Sequence, residues 1–113
     1  MISYAIIILA ITAIGGLLLA SKVLTGKQAP WALSIVHALL GATGLVFLIV
    51  AAFQLNWPGR LTASLALLVI AALGGFYLAS QHLRDTIASK GVVLLHAGVA
   101  VAGFILLALI YFK

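Results

Sequence analysis

Four apolar runs of about 20 residues, parted by short polar breaks, leave this chain few ways to fold. They cover 2–24, 31–53, 61–83 and 89–112. About 20 mostly apolar residues suffice for a helix to cross about 30 Å of hydrocarbon. No run alternates with a period of two, and each is too long for a barrel strand, so helices are the expected element. The breaks Thr25–Pro30, Gln54–Arg60 and Arg84–Ala88 hold both prolines and the single acid, Asp85. The first run is longer than a usual signal-peptide core and three like it follow, which predicts a retained helix. Breaks this short force neighbours antiparallel. The expected fold is therefore all-α, a single membrane domain over 1–113 built as an up-down four-helix transmembrane bundle.

Composition removes the soluble alternatives. Only 6% of the 113 residues are charged and 66% are hydrophobic, against about 25% charged in a typical soluble domain. Seven charges cannot coat a water-exposed surface. A soluble enzyme and a nucleic-acid-binding domain are both excluded on this ground, although the net charge is +5. The absence of cysteine removes disulfides, thiolate metal sites and iron–sulfur clusters. A single Asp with no Glu removes catalysis by paired carboxylates. Lys22, Lys27, Arg84 and Lys90 lie at the loop-one and loop-three end against Asp85, whereas Arg60 and Lys113 lie at the other. The positive-inside rule then predicts a bacterial inner-membrane protein with loops one and three cytoplasmic and both termini outside.

The chain also repeats itself. At an offset of 59, Gly15-Gly16 falls on Gly74-Gly75, Ser21 on Ser80, His37 on His96, Gly44 on Gly103 and Phe53 on Phe112. Repeat one covers 1–54 and repeat two 60–113. Each unit holds two spans, so the copies share one orientation and are expected to be related by a pseudo-two-fold axis along the membrane normal. Odd helices carry the glycine pairs and even helices carry the histidines.

His37 and His96 each lie about 9 Å below the loop-one and loop-three surface, at 1.5 Å of rise per residue. A polar ring in hydrocarbon is costly and normally faces the bundle interior with a partner. Two imidazoles at one depth, on parallel helices across a bundle, can ligate one iron from opposite sides, which is the ligand set of a low-spin b-type haem. His37 and His96 are thus the expected metal ligands. Gly41 and Gly44 share the stripe of His37, and Ala100 and Gly103 repeat them on the fourth helix. Together with Gly15, Gly16, Gly74 and Gly75 they are expected to give a flat macrocycle room at its edges. Lys22, Gln81 and His82 lie about two turns beyond the glycine pairs and are candidates to receive haem propionates. Ser21 and Ser80 fall away from the glycine face and are expected to bond back to their own helices or to sit at a helix contact, with no chemistry of their own.

Glycines on helices one and three with histidines on helices two and four resemble the haem-binding four-helix bundle of the cytochrome b family of quinol:cytochrome c oxidoreductases. The likeness spans the chain but rests on Gly15-Gly16, His37, Gly74-Gly75 and His96. It implies a small membrane b-type cytochrome that relays electrons, as a subunit or partner of a larger respiratory or photosynthetic redox complex, rather than a stand-alone enzyme. Other membrane redox subunits are the implied partners, and quinone is a candidate, although no quinone pocket is legible. In that family each ligand helix carries a second histidine for a second haem. Here the corresponding positions fall near Val50–Ala51 and Leu109–Ile110, so one haem b, off-centre toward loops one and three, is the most this chain can hold. The alternative is a cofactor-free or pigment-binding accessory structural subunit of such a complex. A four-span proton-coupled drug transporter is excluded, because it needs a carboxylate within the membrane and Asp85 is in a loop.

Overall fold

A computed structural model describes residues 1–112; Lys113, counted above toward the terminal end, lies outside them. The described chain is four helices: α1 (Ile2–Leu24), α2 (Trp31–Gln54), α3 (Gly59–Leu83) and α4 (Lys90–Tyr111). Their ends match the sequence reading to within two residues. All four are long and apolar enough to cross a membrane. Their outward faces carry large apolar side chains such as Ile14, Leu39, Phe76 and Leu95, each more than half exposed.

Helix ends follow local chemistry. Pro30 and Pro58 precede α2 and α3, where a missing N–H costs nothing. Ser89 caps α4 by accepting from the Val92 N–H. At the C-termini of α1, α2 and α3 a left-handed residue turns the chain: Gly26, Asn56 and Asp85, with φ of 80°, 62° and 59°. The N–H one residue further on returns to a carbonyl in the last turn: Lys27 to Lys22, Trp57 to Ala52 and Thr86 to Gln81. This is the Schellman arrangement, and it closes each helix within a short loop.

The helices surround one axis in the order α1, α2, α3, α4, so that α1 faces α3 and α2 faces α4 across the diagonals. Packing is closest within the two hairpins, α1 with α2 and α3 with α4. The hairpins reproduce each other's contacts at the offset of 59. Gly44 lies under Leu9 and Gly103 under Leu68, where an added Cβ would come within 2.7 Å and 3.0 Å of the leucine. Ser21 and Ser80 both bond back to a carbonyl three residues earlier, Leu18 and Tyr77, as expected.

Tight packing is confined to one half of the bundle. Ala5, Ile6, Leu9, Leu48, Ala52, Leu61, Leu65, Leu68 and Leu107 form a continuous core at the terminal end. Ser64 is fully buried among them and donates to the Gly103 carbonyl at 2.8 Å, which ties α3 to α4. Toward loops one and three the side chains become small. Ala20, Ala38, Ala79 and Ala97 replace leucine on the inner faces, and a cavity of about 480 Å³ opens between the hairpins.

Candidate functional site

The cavity is lined from all four helices: by α1 from Leu9 to Val23, α2 from Trp31 to Leu45, α3 from Leu68 to His82 and α4 from Val93 to Phe104. Its wall is apolar apart from Thr12, Trp31, Ser34 and three histidines, His37, His82 and His96. Among the described residues no carboxylate lines it.

His37 and His96 enter from opposite sides, on the diagonal pair α2 and α4. Their ring centroids are 6.4 Å apart and the ring planes make an angle of 78°. Each ring is tethered the same way. His37 Nδ1 lies 2.9 Å from the Thr12 carbonyl oxygen and His96 Nδ1 lies 2.7 Å from that of Ala71. A carbonyl can only accept, so each Nδ1 carries the proton and donates. Nε2 is then the nitrogen through which a neutral ring can bind a metal. Ligating histidines are typically fixed in this way, by a second-nitrogen hydrogen bond that sets tautomer and ring orientation.

The glycine pairs explain how an imidazole reaches a helical carbonyl. The carbonyl of residue i points toward residue i+4 of its own helix, whose side chain ordinarily screens it. The residues four beyond Thr12 and Ala71 are Gly16 and Gly75. A Cβ on Gly16 would stand 2.9 Å from His37 Cε1, and one on Gly75 would stand 3.2 Å from His96 Cε1. Gly15 and Gly74 leave ordinary contact distances of 3.7–3.8 Å to the same rings. Gly16 and Gly75 therefore make room for the histidine rings themselves.

The remaining expected residues divide by position. Gly41 lines the cavity beside Thr12. Gly44 and Gly103 are buried at the hairpin contacts with Leu9 and Leu68, on the core side of the cavity. Lys22 is exposed at the end of α1. The Gln81 side-chain oxygen accepts from the Ser89 N–H at 3.1 Å and so braces loop three. Of the three propionate candidates, only His82 lines the cavity.

Three side chains at the cavity mouth were not grouped by sequence. His82, 7% exposed, stacks on Trp31 with centroids 3.6 Å apart and planes 13° from parallel. Its Nδ1 lies 3.3 Å from Ser34 Oγ, while its buried Nε2 has no hydrogen-bond partner. The repeat carries the signal that would have found them. At the offset of 59, His82 falls on Val23 and Ser34 on Val93, both buried and apolar. Polar residues thus stand on the α2/α3 seam where the α1/α4 seam has valines.

Among the described residues no three His, Cys, Asp or Glu side chains gather as a metal cluster. Two imidazoles are too few to enclose a bare ion. They suffice for a metal that arrives with its own equatorial ligands. No protein-family model matches the chain, nor does any curated protein or solved structure, so its function has to be read from this histidine pair and its cavity.

Proposed function

We propose that this chain is a small membrane b-type cytochrome that binds one haem between His37 and His96. The observation that carries the reading is the matched pair of Nδ1–H···O=C tethers, which leave Nε2 of each ring as the nitrogen available for a metal on two histidines that line one cavity. An imidazole nitrogen binds a metal at about 2 Å, so two rings on opposite sides of one metal have centroids about 6 Å apart. The observed 6.4 Å fits that span. The small residues on all four walls fit a flat, wide ligand, and a cavity of about 480 Å³ falls within the usual range for small-molecule and cofactor sites.

A bound haem supplies a reversible one-electron carrier, tuned by its axial ligands and surroundings. The chain's own residues do the rest. Thr12 and Ala71 hold the imidazoles in one tautomer, which raises their basicity and limits rotation. The leucine core closes the terminal end of the cavity against water. With one site in the loop-one and loop-three half, the chain cannot carry an electron across the bilayer unaided. Its role is exchange at one surface, as a subunit or partner of a larger redox assembly. In this reading that surface faces the cytoplasm, as the basic excess of loops one and three favours, the helices span a bacterial inner membrane and the hairpins are related by a pseudo-two-fold axis along its normal.

Protein purified from haem-replete cells provides the test. The reduced-minus-oxidised spectrum is expected to show the sharp visible α band of six-coordinate b haem, at one haem per chain. A far-red pigment band would contradict the reading, and the absence of any chromophore would favour an accessory structural subunit.

A further inference from the structure

The cavity mouth holds a feature that the histidine pair does not use. His82 is a buried polar side chain whose Nε2 lacks a partner. Leaving such an atom unsatisfied is unfavourable, and replacing it by an apolar group costs nothing in a hydrocarbon setting. The scaffold shows that an apolar solution exists, because the repeat places the buried Val23 at the equivalent position. The Trp31 stack and the Ser34 contact hold the ring in place rather than relieving Nε2. The free nitrogen is therefore a fixed, unsatisfied hydrogen-bonding group on a side chain that lines the cavity.

Its location narrows the partner. His82 lies seven residues beyond Gly75 on the same stripe of α3, about 10 Å nearer the loop surface than the level of the His96 ring. That offset is of the order of the distance from the centre of a porphyrin to the carboxylates on its edge. Lys22, Lys27, Arg84 and Lys90 surround this end of the bundle against Asp85 alone, so the local field favours an anion.

We propose that His82, seated by Ser34 and Trp31, is the docking point for a carboxylate of the bound macrocycle. Nε2–H donates to the carboxylate while Ser34 Oγ–H donates to Nδ1. The dock stands on the α2/α3 seam alone, so it gives a nearly symmetric pair of hairpins one polar side and directs the ligand's acidic edge toward loops one and three. This inference rests on the haem-binding reading.

The test compares haem b with its dimethyl ester, in which both carboxylates are blocked, by titrating each into detergent-solubilised apoprotein. The wild-type chain is expected to bind haem b at least tenfold more tightly than the ester, as a hydrogen bond to a charged group would give. His82→Phe keeps the stack on Trp31 and is expected to erase that preference by weakening haem b binding while leaving ester binding unchanged. The apoprotein of this variant should melt no lower than wild type, because a buried unsatisfied nitrogen is removed. Equal affinities of the wild type for haem and ester would overturn the dock and leave the bis-histidine site standing. So would a preference that survives in His82→Phe. Failure of both compounds to give a six-coordinate low-spin spectrum with the wild type would overturn the dock and the haem reading together.

Discussion

His37→Ala and His96→Ala are each expected to abolish the six-coordinate low-spin haem spectrum completely. On the proposed ligation, either change removes one of the two protein ligands and leaves iron five-coordinate at best. The rest of the bundle should persist, because the cost to folding is one hydrogen bond, to Thr12 or to Ala71, worth about 1 kcal/mol. The leucine core lies in the opposite half of the bundle and is untouched. Helical circular dichroism close to wild type, together with loss of the low-spin bands, is the expected pair of results. A variant that kept the full low-spin spectrum would remove that histidine from the ligand set.

Gly16→Leu is expected to be nearly as damaging while leaving both histidines in the sequence. A Cβ alone at this position meets His37 Cε1 at 2.9 Å, so a leucine must push the ring away from α1 and break the bond to Thr12. Loss of such a supporting bond commonly weakens a metal site by about 10–100-fold, and displacement of the ring adds to that. Gly75→Ala should be far milder, because its Cβ would stand 3.2 Å from His96 Cε1 and a small ring shift relieves it. Gly98→Leu serves as control, since nothing lies within 4 Å of a Cβ there. Haem titration of the three variants reads the order directly. Equal haem affinity in Gly16→Leu and Gly98→Leu would show that the glycine pair does not serve the histidine.

Much of this architecture was legible in the residues because hydrocarbon leaves so few options. Run length gave the four helices, and the breaks that hold Pro30, Pro58 and Asp85 marked where they start and stop. The offset of 59 paired His37 with His96 before any coordinates, and the paired tethers follow the same register. What stayed hidden depended on which atoms touch. Gly16 and Gly75 read as room for a ligand because a sequence does not show that the neighbouring ring reaches past them to a carbonyl. Gly44 and Gly103 share the histidine stripe, yet the bundle narrows at their level and turns them to Leu9 and Leu68. Lys22 is exposed at the end of α1, and the Gln81 side chain is engaged with loop three. His82 joins Ser34 and Trp31 across 48 and 51 positions, a contact that no local pattern announces. Its depth marked it as a candidate, and its departure from the repeat, histidine against valine, is the further signal that sets it apart.

Electron paramagnetic resonance of the oxidised, purified protein tests the central claim most directly, because it reports both the ligands and their mutual orientation. Ligation by imidazoles whose planes lie near 78° would leave the iron dπ orbitals almost degenerate and make a low-spin ferric signal strongly anisotropic. The expected spectrum is a single, highly anisotropic low-spin species at one spin per chain, absent from His37→Ala and His96→Ala. A wild-type spectrum that is wholly high-spin, or that holds no haem iron, would contradict axial ligation by this histidine pair.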